Sequence, residues 1–250
     1  YQALTQFIGF KNYGDEYKLM GLSAYGENKY DEKLLDLVSY KNLNYKLNLK
    51  YFRHHNTNLQ AYDKNEDLCY KDLFSKESLE NLLSIKTSDR FVYSKDYADL
   101  SKSVQTVYER ILFEYLNDLE KKFNQKNLCL TGGCALNSLA NGKILENTNF
   151  EKLFIPYEPS DAGGSIGSAL TYYYYRNPNS TKVNQPNPYL GIDFDEKYVE
   201  DVIEKNNSNT NFSFKKYNSF QDLCDEVAEL IIQQKIISWF QNKMEFGPRA

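Results

Sequence analysis

Two glycine-centred segments hold the groups best suited to chemistry. In Thr131-Gly-Gly-Cys-Ala-Leu-Asn137, Gly132 and Gly133 stand between an apolar run and the start of a helical pattern. Glycines there let backbone N–H groups approach an anionic or planar ligand with no Cβ in the way, and the helix dipole adds to that attraction. The same string also reads as a plain tight turn with Asn137 as the helix N-cap. In Ser160-Asp-Ala-Gly-Gly-Ser-Ile-Gly167, Asp161 follows a second apolar run. It can cap the next helix, or offer a carboxylate to a bound metal or phosphate, because ligands of α/β sheets sit outside the carboxyl ends of the strands. Gly163, Gly164 and Gly167 permit close helix–sheet packing or ligand approach. Two such loops side by side in one sheet favour a shared nucleotide cleft over either reading alone.

Other candidates are single residues. Glu16 and Lys18 lie in a loop punctuated by Gly14, Gly21 and Gly26, where the pair is either solvated or placed to orient a ribose or phosphate. Arg249 follows Gly247-Pro248 and is suited to bidentate phosphate or carboxylate binding, unless it is a surface arginine on a connecting loop. His54 and His55 are the only histidines, and adjacent side chains diverge on helix and strand alike, so they are poor joint metal ligands. Cys134 sits inside the glycine loop without a nearby histidine or cation and does not read as a nucleophile.

The elements that must position these groups are visible in the hydrophobic pattern. Tyr97, Leu100, Val104, Val107, Ile111, Leu112, Tyr115, Leu116, Leu119 and Phe123 recur at helical spacing, with charged residues including Lys102, Glu109, Arg110 and Glu114 assigned to the opposite face. This predicts a long amphipathic helix over 96–123. The apolar runs 127–131 and 152–156 read as strands, each followed by a glycine turn and a helix, to about Leu145 and Tyr175. That order is the grammar of an α/β sheet. Asp31–Val38 and the stretch after Ser78 carry shorter helical patterns. Residues 177–191 hold three of the six prolines and read as a linker. Helices at 195–205 and 219–235, the latter with a capping-box-like Ser219 and Asp222, and a strand at Ile236–Phe240 complete the reading.

Composition narrows the class. A length of 250 residues allows one large domain or one and a half ordinary ones. A net charge of −4 announces no polybasic surface for nucleic acid or anionic membrane. The hydrophobic fraction of 41%, with 22 Tyr and 15 Phe, excludes a disordered chain despite a mean hydropathy of −0.66. The four cysteines form no C-x-x-C pair, so neither a disulfide framework nor a zinc site is expected, and reduced cytoplasmic thiols are the default. No apolar run is long enough to span a bilayer and no signal peptide opens the chain. Tyr1 in place of Met and an end inside a loop at Ala250 lead to the expectation of a piece of something longer.

Four ordered motifs together are far more specific than any one of them. Glu16-Tyr-Lys-Leu-Met-Gly-Leu-Ser-Ala-Tyr-Gly26, Gly132-Gly-Cys-Ala-Leu-Asn-Ser-Leu-Ala-Asn-Gly142, Asp161-Ala-Gly-Gly-Ser-Ile-Gly167 and Trp239-Phe-Gln-Asn-Lys-Met-Glu-Phe-Gly-Pro-Arg-Ala250 strongly resemble the O-carbamoyltransferases of the nodulation-factor, cephamycin and tobramycin type. The resemblance covers nearly the whole chain and is weakest over 31–90. It implies an α/β fold: the C-terminal half of an ASKHA (actin/sugar-kinase-like, RNase H-like) domain over 1–187, then the start of a YrdC-like domain over 188–250. In that family the second domain joins carbamoyl phosphate and ATP into carbamoyladenylate, with release of pyrophosphate. The first passes the carbamoyl group to a hydroxyl of a small molecule.

Carried over residue by residue, the resemblance makes Asp161 a ligand of a divalent metal, iron in the relatives. Gly132, Gly133, Ala135 and Asn137 match the loop that receives the adenylate, with Gly163 beside them in the second glycine segment. Glu16 and Lys18 match the E-x-K-x-M-G-L stretch, and Arg249 matches an arginine in contact with carbamoyl phosphate or ATP. The family's His-x-x-x-His metal pair and its N-terminal phosphate loop have no counterpart here, and His54-His55 has the wrong spacing to replace the pair. The piece alone is therefore expected to be inactive. The expected partner is a hydroxyl-bearing sugar or natural product, with no nucleic acid and no membrane. The oligomeric state is left open, a homodimer included. Rival readings are a threonylcarbamoyl transferase acting on tRNA, for which the acidic charge is unsuited, a non-catalytic nucleotide-binding regulatory domain of the same fold, and a sugar or acid kinase.

Overall fold

The structure, a computed structural model, describes residues 1–58, 60–62, 68–181, 187–206, 213–241 and 243–248. The chain divides into two compact units, Tyr1–Ile155 and Pro156–Ala250. The first unit runs α1 (Gln2–Phe7), α2 (Glu16–Leu22), α3 (Asp31–Leu34), β1 (Val38–Lys41), β2 (Asn44–Leu47), β3 (Gln60–Tyr62), β4 (Leu68–Tyr70), α4 (Lys76–Leu83), α5 (Lys95–Phe123), β5 (Asn127–Cys129), α6 (Ser138–Asn141), α7 (Ile144–Asn147) and β6 (Lys152–Phe154). The second holds α8 (Gly164–Arg176), α9 (Glu196–Asn206) and α10 (Phe220–Ile232). Helix and sheet are thus mixed, as the sequence pattern implies.

The amphipathic pattern over 96–123 becomes α5, the 29-residue spine of the first unit. The Ser94 hydroxyl accepts the Tyr97 N–H at its start, and Asn124, at φ 50°, ends it in the left-handed conformation that asparagine tolerates. Its first half buries Tyr97, Leu100, Val104 and Val107 against Phe7, Leu19, Phe74 and Leu79. Its second half packs Leu116 with Ile144 and Phe150, flanked by Leu128 and Leu153 of the paired strands. Those strands, β5 and β6, pair in parallel with Leu128 opposite Leu153, and the glycine loop leaves from the carboxyl end of β5.

Three departures from the sequence pattern have local causes. The helical pattern of 31–38 stops after Leu34, and Val38 opens an antiparallel hairpin with β2. Its turn residues Asn42 and Leu43 both have positive φ, 49° and 61°, the geometry of a tight hairpin turn usually signalled by glycine. The Tyr40 hydroxyl holds that turn, accepting the Leu43 N–H at 3.0 Å and donating to Asp118 of α5 at 2.7 Å. The single helix expected from Asn137 to Leu145 is instead two four-residue turns, α6 and α7, parted at Gly142 and Lys143. No strand forms over 236–240 among the described residues. A ladder needs a neighbouring strand, and every described strand of the chain lies in the first unit.

The segment after α2 is locked to α5 by backbone contact. A Cβ on Gly26 would meet the Ala98 carbonyl oxygen at 1.9 Å. Beyond it, Asp99 accepts the Glu27 N–H at 2.9 Å, and the Ser103 hydroxyl accepts the N–H groups of Lys29 and Tyr30. Burial alone would push the Asp99 carboxyl up, but the Glu27 N–H and the Lys95 ammonium outweigh it and hold it below the usual range. A lowered folded-state value means stability that is present above the unfolded carboxyl's range and is lost as the pH falls through the folded value. Thermal melts from neutral pH down through the carboxylate range should therefore show a loss of stability that is smaller in Asp99→Asn. Gly26→Ala should destabilise by about 1–3 kcal/mol in urea unfolding, because helix and loop must separate to admit the methyl group.

Candidate functional site

The glycine loop is defined by its backbone. The Leu130 N–H still pairs with the Phe154 carbonyl at 3.0 Å, and the chain then turns at Gly132, whose φ of 94° suits glycine alone. A Cβ at Gly132 or Gly133 would meet nothing within 4 Å, so both glycines border open space. Gly133–Leu136 forms a 3-10 turn, closed by the Ala135 N–H to the Gly132 carbonyl at 2.9 Å. The N–H groups at its start have no intrahelical partner. Ala135 is buried and anchors the turn, and its carbonyl accepts from Asn141 Nδ2 at 2.7 Å.

Asn137 is the N-cap of α6, its Oδ1 accepting the Ala140 N–H at 3.0 Å. The same amide is paired with Gln105 of α5: Gln105 Nε2 donates to Asn137 Oδ1 and Asn137 Nδ2 donates to Gln105 Oε1, each at 3.0 Å. Gln105 also donates to Glu109 Oε1 at 2.8 Å and accepts from the Tyr1 hydroxyl at 2.8 Å. Lys143 Nζ holds both oxygens of Glu109, at 2.8 and 2.7 Å. The Tyr108 hydroxyl donates to the Cys134 carbonyl at 3.3 Å. Burial pushes the phenols of Tyr1 and Tyr108 well above their usual range, so both remain neutral donors.

Helix α2 borders this loop. Ser138 Oγ lies 3.8 Å from Met20 Sδ, which brings the E-x-K-x-M-G-L stretch against the glycine segment. Glu16 is the first residue of α2. Lys18 does not pair with it; its ammonium sits 2.7 Å from Asp15 Oδ1, and that bond raises its pKa. Asp15 is buried, and its second oxygen accepts the Asn12 N–H at 3.1 Å.

In the second unit, Asp161 opens the 3-10 turn Asp161–Gly163 and is exposed. Glu158, buried, organises the loop by accepting the Ser160 N–H at 3.0 Å and the Ser160 hydroxyl. Gly163 is needed for close approach within its own loop, since a Cβ there would lie 2.1 Å from the Glu158 carbonyl oxygen. The segments 188–191 and 244–246 are joined by the Gly191 N–H to the Met244 carbonyl at 2.9 Å and the Phe246 N–H to the Pro188 carbonyl at 2.7 Å. Phe246 packs edge-on against Tyr157 with ring centroids 5.9 Å apart. The fourth motif is therefore held against Tyr157 and residues 188–191 within the second unit, while Arg249 itself lies outside the described residues.

A divalent metal needs three or more ligands, and no group of three His, Cys, Asp or Glu that could hold one occurs among the described residues. Asp161 supplies a single carboxylate, so the described residues do not by themselves fit a metal centre. The rings of His54 and His55 lie at 81° to each other. Cys129, Cys134 and Cys224 are free thiols. No described helix is long and apolar enough to cross a membrane.

Sequence reasoning missed five residues. Glu109, read as part of the solvated face of α5, is buried at 9% exposure and tied to Gln105 and Lys143. Gln105, Lys143, Asp15 and Glu158 escaped notice as well. The available signal was Ser101-x-x-x-Gln105-x-x-x-Glu109, a polar stripe at helical spacing beside the apolar one.

Residues 1–170 match the family described as carbamoyltransferase N-terminus. The chain belongs to the carbamoyltransferase family. It is 34% identical over its whole length to an uncharacterised protein of Synechocystis sp., covering 39% of that protein. It is 27% identical to nodulation protein NolO of Bradyrhizobium diazoefficiens, over 94% of this chain and 38% of the relative. It is 26% identical to nodulation protein NolNO of Sinorhizobium fredii, over all of this chain and 33% of the relative. The chain thus spans well under half the length of the relatives it matches.

Gln105→Leu would leave the Asn137 amide, one Glu109 oxygen and the Tyr1 hydroxyl short of partners. The expected cost is about 1–3 kcal/mol for each buried group left unsatisfied. It should appear in unfolding curves and as faster amide hydrogen exchange over 132–141 than elsewhere in the first unit.

Proposed function

We propose that this chain is part of an enzyme that transfers a carbamoyl group to a hydroxyl of a small-molecule acceptor, a sugar or another natural product under biosynthesis. The observation that carries the reading is the open Gly132–Asn137 loop, which falls inside the family-matched span and is locked from beneath by the Gln105–Asn137 amide pair. In this reading carbamoyl phosphate, ATP and water give carbamoyladenylate, pyrophosphate and phosphate. The acceptor oxygen then bonds to the carbamoyl carbon, the bond from that carbon to the AMP oxygen breaks, and the hydroxyl proton leaves to a base as AMP departs.

Gly132 and Gly133 offer bare backbone to the adenylate, where N–H dipoles would stabilise charge developing on the carbamoyl oxygen. Ala135 and Asn137 hold that turn in place. Glu16 and Lys18 border it from α2, and Gly163 shapes the second loop. Arg249 is assigned to carbamoyl phosphate. An ASKHA-type domain over 1–187 followed by the start of a YrdC-like domain over 188–250 is the architecture that accompanies this reading, supported by the parallel β5–β6 pair with a glycine loop at the carboxyl end of β5. Asp161 enters as one ligand of a divalent metal, iron by family resemblance, which would need further ligands beyond the described residues. A cytoplasmic setting is supported by the free thiols.

The test is pyrophosphate release by the full-length protein supplied with ATP. Release that requires carbamoyl phosphate is expected. Release that requires threonine and bicarbonate instead would assign the chain to tRNA modification. A Cβ at Gly133 meets nothing within 4 Å, so Gly133→Ala narrows the open approach and should lower carbamoyl transfer, read as AMP release, by about tenfold or more with little change in melting temperature.

A further inference from the structure

Residues 49–57 and the start of α4 enclose a surface pocket of about 480 Å³, within the size range of small-ligand sites. Its charged lining consists of Lys50, Arg53 and Lys76, with His55 beside them and no carboxylate among the lining residues. That is a local excess of cations on a chain whose net charge is −4. Elsewhere in the same unit lysines sit on carboxylates, as Lys11 does on Asp72, Lys18 on Asp15 and Lys143 on Glu109. Lys50, Arg53 and Lys76 form no ion pair among the described residues.

The backbone beneath these cations is fixed. Tyr51 and Phe74 are buried, Phe52 and Phe74 form an antiparallel bridge, and the Arg53 N–H reaches the Leu73 carbonyl at 2.9 Å while the Ser75 N–H reaches the Tyr51 carbonyl at 2.9 Å. Lys50 and Arg53 therefore project from anchored positions. Asn56 Oδ1 takes the Thr57 hydroxyl at 3.0 Å, which leaves the amide protons of Asn56 as further donors. Ser75, the N-cap of α4, turns its hydroxyl to Ser78 rather than to a helix N–H, so the first-turn N–H groups and the positive end of that dipole add to the potential of the cationic wall.

We propose that this pocket binds a dianionic phosphoryl group, with Arg53 as the bidentate partner and Lys50 and Lys76 as point charges. The group is carried either by a small phosphorylated molecule or by free phosphate. The proposal does not depend on the carbamoyl-transfer reading.

Isothermal titration calorimetry of the full-length protein with inorganic phosphate, glucose 6-phosphate and glucose tests it, on wild type and on the double variant Arg53→Gln/Lys76→Gln. Saturable binding of a phosphate probe is expected, weakened by tenfold or more in the variant, since each lost charged contact is worth about one decade. Both side chains are exposed, so the melting curve should be unchanged. Glucose 6-phosphate binding more tightly than phosphate assigns a phosphate ester; equal binding assigns the free anion. Glucose binding as tightly as its 6-phosphate, binding unaltered in the variant, or no saturable heat from either phosphate would overturn the proposal.

Discussion

Burying Gln105 and Glu109 on α5 costs free energy that only a full set of hydrogen-bond partners offsets. Those partners come from three separate segments: Tyr1 before α1, Asn137 in the glycine loop and Lys143 at the head of α7. The polar stripe sits between two apolar clusters, one packed on the first half of α5 and one on the second. The apolar contacts are non-directional and would tolerate small shifts, whereas the amide pair has one geometry. The glycine loop therefore takes its position from α5 as well as from the short parallel strands it leaves.

The loops of the two units are built by the same device, a buried carboxylate or amide that gathers nearby donors. Asp15 collects the Asn12 N–H and the Lys18 ammonium ahead of α2. Glu158 collects both donors of Ser160 ahead of the Asp161 turn. In each case the buried group shapes the backbone beside a motif residue, Glu16 or Asp161. Charge-assisted bonds to backbone N–H groups suit this task because they are short and roughly twice as strong as neutral ones.

Much of this was legible in the amino-acid sequence where a single period governs a long stretch. The apolar spacing of α5 placed that helix to within a residue at either end, and Ser219 does cap α10, accepting the Asp222 N–H. Short-range features were less legible. The β1–β2 hairpin turns on Asn42-Leu43, a pair that carries none of the glycine that normally marks positive φ. Gly142 and Lys143 interrupt a helix that hydrophobic spacing alone would have continued. The burial of Glu109 was hidden because a charged residue is ordinarily assigned to the solvated face, and its partner Lys143 lies 34 positions away. The residues of the four motifs were visible as a set. The groups that hold them were not, since the identity of a supporting hydrogen bond depends on tertiary neighbours.

The stripe on α5 also determines how the helix may slide. An all-apolar face at helical spacing repeats itself after every turn, so a helix packed only through leucines and valines has near-equivalent docked states about 5.4 Å apart along its axis. Gln105 and Glu109 remove that degeneracy. A one-turn translation would place the Asn137 amide opposite Ser101 or Glu109, and would carry Glu109 away from the Lys143 ammonium. Together with Asp99 and Ser103, which bond the segment after Gly26, these polar groups act as a vernier, admitting one axial setting of the spine and with it one spatial relation between the Gly26 segment and the glycine loop.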